Sequence, residues 1–306
     1  MVKVYDIAKV DAFTEKPFYG NPAGIVFDSD SLKDEDMIKI AGELNPVSAT
    51  AFLFKQGTNE THIRVRFFTP VTEESQCGHA TIATYFALEG TKRRMFSAPK
   101  TTIMQEMKAG TLPVDVYAKN GKIDYVLMSQ GKPVFFKKDL DAQAIANILG
   151  IKKEAITKTG YPLEDVSTGR NKLMVPIDNL KTLGEVKPNF PAMIEYCRKV
   201  DTTGFHLFTF ETFEKGSTVS TRHFAPIAGV NEDPVTGNSN AAMGAYFVKR
   251  GILPVKQNEV TFTSEQGYHM GRPGKLIVKI ETVGNEITKV QVGGKAVVLM
   301  KGTLQI

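Results

Sequence analysis

The feature that most constrains this 306-residue chain is an internal repeat. An alternating segment ending in Arg66–Pro70 is followed by a glycine-opened stretch, Cys77–Phe86, and the same order returns in Arg222–Pro226 and Thr236–Phe247. The glycine follows the arginine by 12 residues in the first copy and by 15 in the second, so the connecting loop changes length while the order is kept. Two homologous halves explain this pattern, and chance similarity of two strand-turn-helix units is the alternative.

The helices of the repeat are apolar on nearly every side. Ala80–Leu88 and Ala241–Val248 consist mainly of alanine, aliphatic and aromatic residues, so each helix must be buried all round. Many short segments elsewhere, such as His62–Phe67, alternate like strands. We therefore expect an α+β protein of two pseudo-symmetric domains, each a β-barrel-like sheet around a central helix.

The predicted domain boundary lies between Pro113 and Lys122, where Asn120-Gly121 is a turn signal. We expect a first domain of residues 1–117, completed by a C-terminal strand near residues 297–306, and a second domain of residues 118–296. A surface helix is predicted at Ser31–Leu44 with Ser31 as its N-cap, and another at Asp139–Leu149 with Gly150 at its C-terminal end.

Composition argues against several classes of protein. An apolar fraction of 42% and a charged fraction of 23% are ordinary for a soluble globular chain. The net charge of +5 is small and the basic clusters are short, so no nucleic-acid partner is expected. Cys77 and Cys197 lack disulfide or zinc-ligand spacing, and no signal peptide or apolar span is recognisable, so we expect a cytoplasmic protein that is not bound to a membrane.

Two glycines point to a binding site. Gly78 and Gly237 each open a helix, where unpaired backbone N–H groups and the positive end of the helix dipole attract anions. The alternative for each is a tight turn that needs glycine only for its φ angle. Because the feature occurs twice, we expect the two helix openings to bind a small anionic metabolite. Dinucleotide-binding and phosphate-loop motifs are not found, so no nucleotide cofactor is expected, and no metal site is predicted.

Groups that exchange protons flank both glycines. Asp233 is the stronger candidate base because Pro234 biases it toward an extended backbone; an Asx turn or a helix cap is the alternative. His79 can donate to a ligand or bond to a neighbouring carbonyl. Cys77 precedes a helix N-terminus, which lowers the pKa of a thiol, although a small buried cysteine is the commoner outcome. Cys197 is interpreted as a packing residue.

Several ordered motifs together resemble the phenazine-biosynthesis (PhzF) family, a relative of diaminopimelate epimerase. The motifs that carry the resemblance span the chain: Val10–Phe13, Pro17–Pro22, Arg66–Pro70, Cys77–Thr81, Arg222–Pro226, Glu232–Gly237, Gln266-Gly267, Gly271–Gly274 and Val292–Gly294. The resemblance implies two pseudo-symmetric domains, an active site between them, homodimers, and isomerisation of dihydro-hydroxyanthranilate by acid–base chemistry without metal or cofactor. Asp233 and His79 match positions that line the family's cleft, and the resemblance extends the substrate-binding set to Asn21, Ser48, Cys77, Gly78, Thr236, Gly237, Asn238 and Ser239.

The chain departs from the family pattern at one important position. The family usually has Asn-x-Ser-Glu-Thr, with the glutamate carrying the proton, whereas this chain has Asn45–Thr50 with Ala49 at the glutamate's place. A methyl group cannot accept a proton, and general acid–base catalysis is typically worth about 10²–10⁴-fold in rate. Asp233 and His79 are the obvious substitutes. Thr236 stands where diaminopimelate epimerase has its second thiol, which disfavours a two-thiol racemase.

Two hypotheses therefore stay open. The first is an isomerase or epimerase acting on a small carboxylate, with Asp233 as base and His79 assisting. The second is a non-catalytic binder that kept the cleft and lost its chemistry at Ala49. Exchange of a carbon-bound proton with solvent favours the first, and ligand stabilisation without turnover favours the second.

Overall fold

A computed structural model describes residues 2–45, 48–55 and 61–306. The chain divides into two compact units, of which unit 1 is Met1–Ser129 with Gly293–Ile306 and unit 2 is Gln130–Val292. The boundary thus lies after Ser129, not near residue 117, which falls inside a strand. Asn120 and Gly121, with φ of 53° and 74°, form the two-residue turn of a β-hairpin within unit 1.

The described residues form eighteen strands and seven α-helices. The strands are β1 Val4–Ala12, β2 Asn21–Val26, β3 Thr50–Leu53, β4 His62–Phe68, β5 Glu73–Glu74, β6 Lys100–Met107, β7 Gly110–Lys119, β8 Lys122–Ser129, β9 Val134–Phe136, β10 Glu164–Ser167, β11 Asn171–Pro176, β12 Phe205–Thr209, β13 Val219–Ala225, β14 Val230–Asp233, β15 Glu259–Gln266, β16 Gly274–Val283, β17 Glu286–Gly294 and β18 Ala296–Gln305. The helices are α1 Asp34–Leu44, α2 Gly78–Gly90, α3 Ala142–Leu149, α4 Glu154–Thr157, α5 Leu180–Glu185, α6 Phe190–Val200 and α7 Gly237–Lys249.

The two units pair their strands in the same succession. In unit 1, β1 to β4 and then β6 and β7 pair in chain order with alternating antiparallel and parallel contacts. In unit 2, β10 to β13 and then β15 and β16 repeat that alternation. The short strands β5 and β14 pair with β4 and β13 respectively. The sequence repeat is therefore a repeat of topology, and the predicted α+β class is confirmed.

Each unit contains one buried central helix. In unit 1, α2 contacts β1, β2, β3, β8 and β18. In unit 2, α7 contacts β10, β11 and β16. Tyr85 of α2 and Tyr246 of α7 are fully buried, as expected for helices that are apolar all round. Both helices begin at the predicted glycines, Gly78 and Gly237.

The predicted surface helices form, with one correction at a start. Gly150 ends α3 in the left-handed conformation, with φ of 69°, and Asp141 caps its N-terminus. The helix expected from Ser31 begins instead at Asp34, because Lys33 N donates to the Asp36 carboxylate. The hydroxyl of Ser31 lies 2.6 Å from the hydroxyl of Tyr5 and is not used as a cap.

No helix in the part of the chain that the structure describes is both long and apolar enough to cross a bilayer.

Cys197 lies within α6 and is fully buried, as the packing interpretation requires.

Candidate active site

His79, on the first turn of α2, joins two other predicted site residues. Its Nε2 lies 2.9 Å from Ser48 Oγ, and its Nδ1 lies 3.4 Å from Cys77 Sγ. Burial lowers the pKa of His79 to about 4, so the imidazole is neutral at pH 7. A neutral imidazole carries one N–H, so one ring nitrogen donates and the other accepts. His79 therefore acts here as a hydrogen-bonding group and not as a cation.

The first turns of α2 and α7 are not closed by a side-chain cap. Cys77 and Thr236 occupy the two N-cap positions in extended conformations, and neither side chain accepts a bond from its own helix. By contrast, Asp141, Asn179 and Asn189 cap α3, α5 and α6 in that way. The N-cap side chains of the two central helices therefore do not compete with an anionic ligand for the backbone N–H groups of these first turns.

Ala49, at the family glutamate's position, is buried immediately before β3. The amide of Asn45 donates to Ala49 O at 3.1 Å and to Pro22 O at 2.9 Å. It therefore ties the Ala49 segment to the start of β2, where Asn21 is fully buried. Pro46 and Val47 of the same motif lie outside the described residues.

In unit 2, the candidate base Asp233 ends β14 and is held by the loop that leads into α7. Thr236 Oγ1 donates to Asp233 Oδ2 at 2.5 Å. The amide of Gln266 donates to Asp233 O at 2.8 Å and to Thr236 Oγ1 at 3.1 Å, and it accepts from Thr236 N at 3.1 Å. Asn240 Nδ2 donates to the same amide oxygen at 2.9 Å. A single glutamine thus fixes the backbone on both sides of Pro234.

The remaining unit 2 candidates lie on the first turn of α7. Asn238 Nδ2 donates to Thr168 Oγ1 at 3.2 Å and to Gln130 Oε1 at 3.4 Å. Ser239 is fully buried, with its hydroxyl 3.5 Å from His223 Nε2. The side chain of Ser239 therefore faces the interior, so its route to a ligand is its backbone N–H.

Sequence reasoning missed Asn45 and Gln266 as positioning residues. Asn45 bonds to Pro22, and Gln266 bonds to Asp233 and Thr236. Alternation and turn signals do not reveal such contacts between segments that are distant in sequence. Both residues belong to motifs of the family pattern, Asn45–Thr50 and Gln266-Gly267, but neither received a role. Within the described residues, no group of three or more His, Cys, Asp or Glu side chains is arranged to hold a metal ion.

Comparison with known proteins places this geometry in a family. The family model described as "Phenazine biosynthesis-like protein" matches residues 10–302. An uncharacterised isomerase of Clostridium acetobutylicum is 36% identical, with 99% of each chain covered. The trans-2,3-dihydro-3-hydroxyanthranilate isomerase of Pseudomonas fluorescens is 27% identical, with 96% of this chain and 97% of that protein covered.

Solved structures agree with the sequence relatives. The PhzF-family phenazine biosynthesis protein of Bacillus anthracis matches with a TM-score of 0.88 and 29% identity, over 99% of this chain and 100% of that one. A hydroxyproline epimerase of Agrobacterium vitis, 13% identical, shares the fold with a TM-score of 0.65, over 99% of this chain and 91% of that one. The chain therefore shares its fold with PhzF-family proteins and with epimerases, and its sequence relatives are named isomerases. The chain belongs to the phenazine-biosynthesis-like (PhzF) family.

Proposed function

We propose that this chain is an isomerase that moves a proton between two positions of a small carboxylated metabolite. Its relatives are named isomerases, and its Asp233 stands at the end of β14, beside the open N-terminus of α7. The observation that carries the proposal is the fixed loop from Asp233 to Gly237, because a base must be held within reach of the proton that it removes.

The proposed reaction is redox-neutral. The Asp233 carboxylate takes a proton from a substrate carbon, and the electron pair of that C–H bond moves into the adjacent unsaturated system as an enolate-type or extended double bond. A proton that has exchanged with solvent on the protein is then delivered to a carbon of the same molecule, so product and substrate have the same formula. Acid–base groups of the protein suffice for this chemistry, and no external oxidant or reductant takes part.

The helix N-termini supply the binding part of the proposal. In this proposal, backbone N–H groups at the start of α2 and α7 bind the substrate carboxylate. His79, neutral because burial lowers its pKa, donates or accepts a hydrogen bond at the substrate while Ser48 or Cys77 engages its other nitrogen. A homodimer in the cytoplasm remains a prediction from the family resemblance and from the cysteine pattern.

The alternative is a binder without catalysis, and Ala49 is the observation that favours it. With an alanine at the position where the family usually has its proton carrier, the cleft can still bind an anion without moving a proton. Ligand binding would then raise the melting temperature without any exchange of carbon-bound hydrogen.

One experiment separates the two functions. We would incubate the parent chain, Asp233→Asn and Ala49→Glu with trans-2,3-dihydro-3-hydroxyanthranilate in deuterated water and follow deuterium incorporation by NMR. The proposal expects exchange by the parent chain and a loss of about 10²–10⁴-fold in Asp233→Asn, with an unchanged melting temperature. Exchange at the parent rate by Asp233→Asn removes Asp233 from the base role. Exchange only by Ala49→Glu supports the binder and indicates a scaffold inactivated at Ala49.

A further inference from the structure

The topological repeat gives Asp233 a counterpart in unit 1. Glu73 pairs with Phe68 and Glu74 with Phe67 across β4 and β5, and Asp233 pairs with His223 across β13 and β14. Glu73 and Glu232 lie five residues before the glycine that opens the following helix, and Glu74 and Asp233 lie four residues before it. The two segments therefore align without a gap. By register and by spacing, Glu74 occupies the position of Asp233.

An ion pair of the same kind fixes the preceding glutamate in each copy. Arg66 Nε donates to Glu73 Oε1 at 2.7 Å, and Arg222 Nε donates to Glu232 Oε1 at 2.8 Å. Each guanidinium also lies 4.9 Å from a phenylalanine ring two residues on. The two copies therefore agree in side-chain contacts as well as in backbone pairing.

Strand geometry then determines the face on which Glu74 lies. Successive side chains of a strand point to opposite faces, so Glu74 points away from the Arg66–Glu73 pair. Directly paired residues of antiparallel strands share a face, so Glu74 lies on the face of Phe67, which is fully buried. Asp233 shares its face with His223, whose ring reaches Ser239 on the first turn of α7. The same relation directs Glu74 toward the first turn of α2.

At that turn the imidazole of His79 bonds to the thiol of Cys77 and to the hydroxyl of Ser48, which precedes β3. These groups can position or polarise a ligand. A carboxylate would supply the base that this set lacks. Glu74 is three residues before Cys77, as Asp233 is three residues before Thr236, and it is half-buried on β5.

We infer that Glu74 is a second acid–base residue, which exchanges a proton with the substrate at the N-terminus of α2 as Asp233 does at that of α7. The inference rests on the proposed function and deepens it, because it gives each repeat its own carboxylate. One carboxylate removes the proton as a base, and the other, protonated beforehand, returns a proton to carbon. Between turnovers the two carboxyl groups exchange protons with solvent, which restores their starting protonation states.

The test uses adjacent glutamates as a matched pair. Deuterium incorporation from deuterated water is followed for the parent chain, Glu74→Gln, Glu74→Asp and Glu73→Gln. The probes are trans-2,3-dihydro-3-hydroxyanthranilate and a panel of D- and L-amino acids that includes both prolines. We expect Glu74→Gln to lose about 10²–10⁴-fold in kcat with an unchanged melting temperature. We expect Glu73→Gln to melt at a lower temperature but to stay within tenfold of the parent rate. Glu74→Asp, which keeps the carboxylate, should retain more activity than Glu74→Gln.

The outcomes separate this inference from the function on which it rests. If the parent chain exchanges a probe and Glu74→Gln exchanges it at the same rate, the inference is wrong while the proposed function stands. If Glu74→Gln and Glu73→Gln lose rate and stability in parallel, Glu74 has only a structural role. If the parent chain exchanges none of the probes, the proposed function is contradicted and the inference falls with it.

Discussion

Units 1 and 2 use one topology to build two different helix openings. In unit 1 the first turn of α2 is lined by Cys77 and His79, whereas the matching positions of α7 hold Thr236 and Asn238. In unit 2, Gln266 bonds to the loop between Asp233 and Thr236. Met107 is its counterpart in unit 1, because Met107 ends β6 and Gln266 ends β15, the strands that follow α2 and α7. The repeat preserves the helix-opening glycines and the carboxylates Glu74 and Asp233, and it varies the other side chains around them.

The supporting ion pairs differ in the same way. The side chain of Arg222 is 8% exposed, and its guanidinium donates to both oxygens of Glu232 and to the carbonyls of Leu183 and Val186. Arg66 is 21% exposed and shares its donors between Glu73 and Asp34, and these bonds lower the pKa of both carboxyls. The arginine of unit 2 is thus an interior cross-link, while that of unit 1 borders solvent.

Replacing the two arginines should give the largest contrast. Arg222→Met should destabilise folding by about 3–5 kcal/mol, because it leaves Glu232 and two buried carbonyls without their partner. Arg66→Met should cost about 1–2 kcal/mol, since solvent reaches the groups that it releases. Urea unfolding of the two variants measures both values. Equal losses would contradict the distinction between an interior and a bordering ion pair.

Two buried histidines of unit 2 should make the folding stability depend on pH. His206 and His223 are buried neighbours on β12 and β13, with ring centroids 5.5 Å apart. Burial, reinforced by the nearby charge of Lys172, lowers the pKa of His206 to about 3 and that of His223 well below its usual value. The folded chain therefore keeps both rings neutral in a pH range where the unfolded chain protonates them.

Stability should accordingly decrease as the pH falls below about 6.5, the ordinary histidine pKa. Between pH 7 and pH 5 each buried histidine should contribute a loss of roughly 2 kcal/mol. Lys172, whose pKa burial lowers to about 8, stays protonated across this range and adds nothing to the slope. Urea unfolding at a series of pH values measures the slope, and His206→Gln should reduce it. An unchanged slope in that variant would show that His206 is not the group responsible.

The sequence indicated those parts of the fold that depend on local pattern. The central helices were recognisable because Ala80–Leu88 and Ala241–Val248 offer no polar face, and such helices have only one place in a globular protein. The start of α1 was not predictable in this way, because a tertiary contact with Tyr5 holds the hydroxyl of Ser31. The turn at Asn120-Gly121 was correctly recognised but wrongly interpreted as a boundary, since a hairpin turn looks the same inside a domain.

The candidate site could be predicted only as far as the repeat and the family resemblance reached, and its role stays a prediction. They located the glycine openings and the residues beside them. They did not reveal that Gln266, about 30 residues away along the chain, bonds to Asp233 and Thr236. Nor did they reveal the matching register of Glu74 and Asp233, because strand pairing is a property of the folded sheet.

The smallest predicted effect tests whether the central helices are left open at their N-termini. Asn189 caps α6, because its Oδ1 accepts a hydrogen bond from Ala192 N at 3.1 Å. Asn189→Ala should therefore cost about 1 kcal/mol of folding stability. Cys77 occupies the same position at α2 without capping it, so Cys77→Ala should cost less than half as much. Urea unfolding of the two variants at one pH gives the comparison.

A cost for Cys77→Ala equal to that for Asn189→Ala would mean that the thiol stabilises α2 itself, and that the opening is closed by the protein. A smaller cost would mean that the thiol does not close the N-terminus of α2 in the free protein. A helix without an N-cap is less stable than a capped one, but its first backbone N–H groups can bind an anionic ligand. We therefore expect an uncapped first turn where a ligand supplies the acceptors. Cys77→Asn sharpens the contrast, since a capping side chain should stabilise α2 and compete with an anion for the same N–H groups.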